Sequence, residues 1–302
     1  MKEEYDVIIV GGSYAGLSAA LTLGRSRRKV LIIDNDEPCN RQSPWAHNFI
    51  THDGENPSSI ISTAKREVLN YPTVSFEHGI VTNVSRQERK RFRVETDNQA
   101  QMITKKILFS TGLLDDMPLI KGLSECWGIS VLHCPYCHGY EVRDRRTAVF
   151  ANGDHGYELC GLLTNWTQEI VLLTNGKSTV AEKQLKKLQS SVHLELIEKE
   201  IDTVEHKDGQ IELVYFKDGS HLSVPIMYAR IPVKQHCPIP EKLGCKLTAH
   251  GLLRVDDLQE TSIAGIYAAG DNAFPARIIS YAVAAGTRAG IAINAKLVAE
   301  VV

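Results

Sequence analysis

The chain has 302 residues, of which 43% are hydrophobic and 23% are charged, and both values argue against a disordered or fibrous protein. Its length fits about two domains of ordinary size. The 34 basic and 36 acidic side chains leave a net charge of -2. We therefore expect no nucleic-acid partner and no attraction to an anionic membrane surface.

The first residues, MKEEYDVIIVGG, lack the apolar segment and the small-residue cleavage site of a signal peptide. No uninterrupted apolar run in the sequence approaches the length of a membrane-spanning helix. We therefore expect a cytoplasmic protein. The seven cysteines are scattered along the chain, which is unlike the framework of a small secreted protein that disulfides hold together.

A strand, YDVIIV, opens the chain and is followed by the glycine-rich turn GGSYAG, a helix rich in alanine and leucine, and a second strand that ends on Asp34. This order within about 30 residues is typical of a dinucleotide-binding fold. Gly11 allows the tight turn, Gly16 lets helix and strand approach, and the helix N-terminus presents N–H groups to a pyrophosphate. Ser13 replaces the middle glycine of the usual pattern. An ordinary turn of a doubly wound fold is the alternative interpretation.

The later segments repeat this plan. Residues 73–98 and 105–112 predict an antiparallel meander and a return strand. Residues 145–166 predict a new strand, turn and helix, and a second meander follows, with Asp-Gly turns at 208–209 and 218–219. The last segment, from Gly265, has a strand, a glycine-aspartate turn and a helix but no meander. We therefore expect it to complete the first unit of an α/β fold with two Rossmann-like domains.

The segment VLHCPYCHGYE places Cys134 and Cys137 two residues apart, between His133 and His138. In a reducing compartment such a pair is more often catalytic or metal-binding than structural. Zinc needs two further ligands, but the adjacent histidines point in different directions and there is no second Cys-x-x-Cys. We therefore predict no metal site. A Cys-x-x-Cys at a helix N-terminus has a first cysteine of lowered pKa, which favours redox exchange over an inert pair.

Five features in order make the sequence resemble the low-molecular-weight thioredoxin reductase family of FAD-dependent disulfide oxidoreductases: GGSYAG, Asp34, STG at 110–112, the cysteine pair, and YAAGDN at 267–272. The resemblance covers nearly the whole chain. It implies domains of three layers, ββα, the second inserted in the first. The FAD-binding domain would comprise 1–114 and 242–302, and a pyridine-nucleotide-type domain at 115–241 would carry the redox pair. It also implies a homodimer.

By position, the resemblance implies that Asp34 holds the adenosine ribose of FAD and that Asp271 binds its ribityl or phosphate groups. The glycine turn, the loop after Asp34 and the end of the return strand would surround the cofactor. Arg277 is followed by Ile278 where the family has glutamine, so one flavin contact differs. The implied cofactor-binding residues are Gly11, Gly12, Ser13, Ala15, Gly16, Asp34, Arg41, Gln42, Asn48, Thr111, Gly112 and Asp271.

The resemblance also assigns the catalytic roles. Cys137 would face the flavin, and Cys134 would exchange with the substrate, a small dithiol or a thioredoxin-like protein disulfide. His138 stands where typical members have aspartate, and an imidazole can perform the same proton transfer. Glu141 either orients His138 or caps the turn. The variant CPYCHGYE is similar to dithiol oxidases of the gliotoxin and holomycin type, which pass electrons to oxygen.

The second glycine motif, ANGDHG at 151–156, departs from a nucleotide-binding pattern because Ala151 replaces the first glycine. The segment after the next strand, NGKS, offers Lys177 but no arginine pair for a 2′-phosphate. An NAD(P)H site is therefore doubtful. The chain could be a disulfide reductase supplied by NADH, ferredoxin or another flavin, or a dithiol oxidase. A flavin-binding module without turnover is the remaining alternative.

Overall fold

The computed structural model describes residues 4–301. The strands are β1 (Glu4–Val10), β2 (Val30–Asp34), β3 (Val74–His78), β4 (Val81–Gln87), β5 (Arg91–Thr96), β6 (Gln101–Phe109), β7 (Leu113–Asp115), β8 (Val131–Leu132), β9 (Thr147–Phe150), β10 (Glu169–Leu173), β11 (His193–Ile197), β12 (Ile201–Lys207), β13 (Gln210–Phe216), β14 (His221–Leu222), β15 (Ile226–Ala229), β16 (Val233–Gln235) and β17 (Ile266–Ala268). The helices are α1 (Tyr14–Arg25), α2 (Pro57–Leu69), α3 (Leu123–Cys126), α4 (Pro135–His138), α5 (Gly153–Leu163), α6 (Glu182–Gln189), α7 (Ile239–Lys242) and α8 (Ile279–Ala299).

The first sheet joins a parallel core to an antiparallel extension. Strands β3, β2, β1 and β6 lie side by side in parallel, and β17 pairs in parallel with the carboxyl end of β6. The antiparallel pair β4 and β5 joins the amino-terminal half of β6. Strand β1 occupies one edge of β6. Strands β5 and β17 therefore share the opposite edge of β6, at different positions along it. The meander therefore separates from the parallel strands along β6.

Alternating side chains build two cores around this sheet. Val7 and Ile9 pack with helices α1 and α8, whereas Ile8 and Val10 pack with β4 and β5. This alternation is the period of two that a strand imposes on its side chains. The result is three layers, helices, parallel sheet and meander.

The second sheet repeats the arrangement. Its order is β11, β10, β9, β15 and β8, all parallel. Ile170 and Leu172 pack with α5 and α6, and Val171 and Leu173 pack with the meander β12, β13 and β14. The predicted fold class, two Rossmann-like domains of three ββα layers, is confirmed.

The chain enters and leaves the second unit through an antiparallel ribbon of β7 and β16, in which Asp115 lies opposite Val233. Strand β17 and helix α8 then return to the first sheet and to α1. The ribbon lies close to the predicted boundaries, 1–114, 115–241 and 242–302, which stay predictions. Residues 1–3 and 302 lie outside the described residues.

One sequence expectation is wrong in detail. The segment after Thr73 does not open with a meander strand, because β3 pairs in parallel with β2. Helix α2 precedes β3 and supplies the crossover that a parallel strand requires. In the part of the chain that the structure describes, no helix is long and apolar enough to cross a membrane. The cytoplasmic location stays a prediction.

Gly16 holds α1 against the turn that precedes it. A Cβ at Gly16 would overlap the carbonyl oxygen of Gly11. Gly161 in α5 is the opposite case, because its nearest contact would be Leu188 Cδ2 at 3.9 Å. Both glycines lie in helices but differ in the space around them, so alanine substitutions at the two positions can be compared.

We expect Gly16→Ala to lower the free energy of unfolding by about 1–3 kcal/mol, the usual effect of overpacking. Gly161→Ala should raise it by about 0.5–1 kcal/mol, because alanine restricts the unfolded chain and favours a helix. Urea unfolding of both variants checks this. Equal stability of the two variants would contradict a close approach at Gly16.

Candidate active site

A cavity of about 490 Å³ begins at the carboxyl ends of β1, β2 and β6 and extends to the cysteine pair. Ligands of open α/β sheets bind at this edge. Nine of the predicted cofactor residues lie on its wall: Gly11, Ser13, Ala15, Asp34, Arg41, Gln42, Thr111, Gly112 and Asp271. Among the predicted catalytic residues, Cys137 and His138 lie on it as well.

The glycine turn forms one end of the wall. Gly11 has a φ of +103°, and a Cβ there would strike the Ser110 carbonyl. Gly12 donates its backbone N–H to Asp34 Oδ2, and the N–H of Asp36 donates to Asp34 Oδ1 at 2.7 Å. The Asp34 carboxylate therefore fixes the turn, and a ribose would bind its remaining lone pairs.

Polar atoms without partners suggest what the cavity holds. Asn40 Oδ1 and Thr111 Oγ1 are buried on the wall and have no hydrogen-bond partner among the described residues. An unsatisfied buried polar group costs about 1–3 kcal/mol, which a polar ligand would recover. Together with the free N–H groups at the start of the 12-residue helix α1, these atoms fit a flavin dinucleotide.

A buried ion pair forms another part of the wall. Arg277 donates to both carboxylate oxygens of Asp115, at 2.6 and 3.1 Å. The indole N–H of Trp127 donates to the same carboxylate at 3.1 Å. Asp271 Oδ2 lies 3.6 Å from Arg277 Nε. Burial raises the pKa of Asp271 to about 6, although Arg277 opposes the shift.

Cys134 is the residue that caps α4, and it forms a disulfide with Cys137 across a Cα–Cα distance of 5.3 Å. The N–H of Cys137 donates to Cys134 Sγ at 3.2 Å. The predicted helix is a single turn of four residues, so its dipole is small. The contact that the structure offers to the Cys134 sulfur is therefore this local N–H group and not the dipole of a long helix. Cys137 lies on the cavity wall and Cys134 lies outside it.

His47, His133 and His138 contribute to the wall of the cavity, and the last two flank the cysteine pair in the chain. Desolvation, aided by the positive charge of Arg277, lowers the pKa of His133 to about 4. Burial, aided by His47, lowers the pKa of His138 to about 4. Both imidazoles are therefore neutral at pH 7.

Glu141 contacts His47, with 3.6 Å between Glu141 Oε1 and His47 Nδ1. The ring of His47 meets that of His138 edge-on, with a centroid distance of 6.5 Å. The sequence had left open whether Glu141 orients His138 or caps the turn. The structure shows a third arrangement, in which Glu141 reaches His138 through His47.

Three predicted cofactor residues lie off the cavity wall. Gly12 and Gly16 shape the turn and its packing. Asn48 has a φ of +59° and donates its N–H to Asp53 Oδ1 at 2.8 Å. Of the two loop residues on the wall, Gln42 donates to the Ser124 carbonyl at 3.2 Å. Direct flavin contacts of these residues stay predictions.

Sequence reasoning missed several residues of the wall. Cys39 lies on the cavity, and desolvation raises the pKa of its thiol. Trp45 and His47 come from the long loop between β2 and α2. A loop without periodicity carries no signal that could have identified them.

The second glycine motif has a different geometry. Asn152 Oδ1 accepts the N–H groups of Gly153 and Thr179, each at 2.8 Å. Its amide donates to the carbonyls of Thr174 and Lys177, at 3.3 and 3.0 Å. One side chain therefore ties the loop after β10 to the start of α5, where a nucleotide pyrophosphate would otherwise approach.

Within residues 4–301, no group of three or more histidine, cysteine, aspartate or glutamate side chains is placed to hold a metal ion. Of the remaining cysteines, Cys126, Cys160 and Cys245 are buried. Desolvation raises the pKa of each of these thiols, as suits small apolar side chains that pack in a core.

Residues 5–289 match the family described as pyridine nucleotide-disulphide oxidoreductase. This chain belongs to that family. The thioredoxin reductase tcpT of Claviceps purpurea is 27% identical over 98% of this chain and 95% of its own length. An oxidoreductase structure from Agrobacterium tumefaciens is 33% identical with a TM-score of 0.90, covering 99% of both chains. The structure of HlmI is 30% identical with a TM-score of 0.92, covering 98% of this chain and 93% of its own.

The resemblance to thioredoxin reductases is thereby confirmed. This chain is an FAD-dependent, thioredoxin reductase-like oxidoreductase that acts on disulfides. Its cysteine pair forms a disulfide in the structure. The assignment of individual site residues, the substrate and the electron partner is a separate question.

We expect the free energy of unfolding to fall as the pH drops from about 6.5 toward 4, because the folded-state pKa of His138 is about 4, below its ordinary value of 6.5. The unfolded chain then takes up protons that the folded imidazole does not. His138→Gln should show a smaller fall in urea unfolding at pH 7, 5.5 and 4.5. His155→Gln, which removes an exposed imidazole of the same domain, is the control. An unchanged fall in His138→Gln would contradict the shift.

Proposed function

We propose that the protein exchanges electrons between FAD and a dithiol/disulfide substrate through Cys134 and Cys137. The observation that carries the proposal is the position of the disulfide, with Cys137 on the wall of the cavity and Cys134 off it. FAD, when bound, supplies a two-electron donor or acceptor on the cavity side. The cofactor-binding residues are those predicted from the sequence, among them the glycine turn, Asp34 and Asp271, all of which contribute to the cavity wall.

In the oxidising direction, a substrate thiolate attacks Cys134 Sγ, the Cys134–Cys137 bond breaks, and Cys137 leaves as a thiolate. The second substrate thiol then attacks the substrate sulfur of the mixed disulfide, and Cys134 leaves. The substrate loses two electrons and the cysteine pair gains them. His138 adjoins Cys137 in the chain and is the proposed carrier of the proton between the attacking thiol and the leaving thiolate. Reduction of a substrate disulfide is the reverse sequence.

The substrate is a thioredoxin-like protein disulfide or a small dithiol. Similarity to the thioredoxin reductase tcpT supports the former, and similarity to HlmI, together with the CPYCHGYE segment, supports the latter. Ferredoxin or another flavin is a candidate electron donor in the reducing direction. We further propose a homodimer, which size-exclusion chromatography with light scattering tests by a mass of twice 33.5 kDa.

A dithiol oxidase that passes electrons to oxygen is the second candidate function. The Asn152 bridge favours it because this side chain occupies the start of α5, where a pyridine nucleotide would bind. Lys177 is exposed near Glu198, whose carboxylate accepts the N–H of Ser178 at 2.7 Å. A 2′-phosphate would meet this negative charge and no arginine pair.

The division of labour between the cysteines predicts unequal trapping. Cys137→Ser leaves Cys134 free, so it should form a stable mixed disulfide with a small disulfide probe. Cys134→Ser leaves Cys137 on the cavity wall, so it should react several-fold more slowly. Both variants should lose turnover. Intact-mass spectrometry follows the adduct, and faster trapping by Cys134→Ser would reverse the assignment.

NADPH should reduce the flavin no better than NADH. Two missing charge-assisted contacts of about 1.5–3 kcal/mol each correspond to about a hundredfold or more in affinity. An anaerobic titration with NADPH, NADH and dithiothreitol in parallel measures which reductant bleaches the flavin. Bleaching by dithiothreitol alone supports the oxidase. Rapid bleaching by micromolar NADPH would show an ordinary NADPH-dependent reductase, and no bleaching by any of the three would indicate a binding module without turnover.

A further inference from the structure

His47 belongs to the loop that follows β2, yet it meets the segment that carries the redox cysteines. Its Nδ1 lies 3.6 Å from Glu141 Oε1 and equally 3.6 Å from Asp53 Oδ1. Glu141 comes three residues after His138 in the inserted unit, whereas Asp53 lies in the same loop as His47. One imidazole is therefore placed between carboxylates of two different units.

Backbone hydrogen bonds within its own loop hold His47 in position. The N–H of Ala46 donates to the Glu55 carbonyl, and the N–H of Gly54 donates to the Ala46 carbonyl, both at 2.8 Å. These bonds close residues 46–55 into a compact loop that carries His47. The His47 side chain is 16% exposed, while that of Glu141 is 37% exposed. The imidazole is thus the fixed partner and the glutamate the adjustable one.

Two carboxylate oxygens face the same ring nitrogen of His47, each at 3.6 Å from Nδ1. The ring of His47 also meets the His138 ring edge-on, at 6.5 Å between centroids. His47 can hold Glu141 and support His138 at the same time.

We propose that His47 and Glu141 form a clasp between the two units that holds the Cys137 side of the redox segment on the cavity and orients His138. The clasp consists of these two side chains. His47 and Glu141 are positioning residues, since they act through Cys137 and His138. The inference rests on the proposed function, in which Cys137 must face the cavity.

Other contacts also join the two units, so the clasp accounts for only part of the attachment between them. Gln42 donates to the Ser124 carbonyl, and Arg277 holds Asp115 at the end of β7. Loss of the clasp should therefore loosen the redox segment while the chain stays folded. A single partly exposed side-chain contact of this kind shifts equilibria modestly.

The test is the reactivity of the two thiols in anaerobic, fully reduced holoenzyme. Iodoacetamide labelling followed by peptide mass spectrometry gives the rate at Cys137 relative to that at Cys134 in the same molecule. We expect Glu141→Gln to raise this ratio about two- to fivefold, which corresponds to about 0.4–1 kcal/mol at 1.4 kcal/mol per decade. His47→Asn should raise it by a similar factor.

Asp53→Asn is the matched control, because its carboxylate lies at the same distance from the same nitrogen but within one unit. It should leave the ratio unchanged. The double variant His47→Asn/Glu141→Gln should equal the larger single effect, since coupled residues are not additive. An unchanged ratio in Glu141→Gln, an equal rise in Asp53→Asn, or additive single effects would each overturn the clasp.

A kinetic measurement separates positioning from a merely structural role. With dithiothreitol as substrate, Glu141→Gln should lower kcat while KM stays the same, because the substrate meets Cys134 and the clasp acts on the Cys137 side. A change confined to KM would contradict positioning. The labelling experiment needs no turnover. If the unsubstituted enzyme has no dithiol turnover while Glu141→Gln still shifts the labelling ratio, the proposed function is refuted and the clasp is retained.

Discussion

The ion pair between Arg277 and Asp115 fixes the geometry on which the site depends. Arg277 precedes α8 of the first unit, and Asp115 ends β7, through which the chain leaves for the second. Both side chains are buried, 14% and 12% exposed, and the fork geometry of the guanidinium matches both carboxylate oxygens. Removing either partner would leave an unpaired buried charge, at a cost of about 3–5 kcal/mol. The pair therefore sets where the redox segment meets the cavity.

The electrostatics of the cavity follow from this pair. Arg277 adds to desolvation in lowering the pKa of His133, while Asp115 opposes it. The same guanidinium limits the rise that burial imposes on the pKa of Asp271. A neutral histidine and a moderated aspartate therefore face the cavity together. Arg277 therefore acts on the protonation of two groups on the cavity wall, His133 and Asp271.

The two Rossmann-like units share one architecture but differ in the turn between the first strand and the first helix. In the first, Gly11 adopts a positive φ and opens the way to the start of α1. In the second, Ala151 stands at the corresponding place, Gly153 carries the positive φ, and Asn152 bonds across the turn. The sheet and meander remain because their cores depend on alternating apolar strands. Of the residues in this turn, Ala151 packs against the core on the helix side, whereas the side chain of Asn152 bonds across the turn.

Apart from helix α2 and the parallel strand β3, the sequence by itself determined the order of the main strands, turns and helices, the Cys-x-x-Cys, and the return of the last helix to the first unit. These features are local, because apolar periodicity and turn residues act over a few positions. The glycine turn and Asp34 were identified for the same reason. The tertiary structure alone decided the contacts between distant residues. Arg277 and Asp115 are 162 positions apart, and His47 comes from a loop without any pattern. Neither pairing leaves a local signal, because each exists only once the inserted unit is packed against the first.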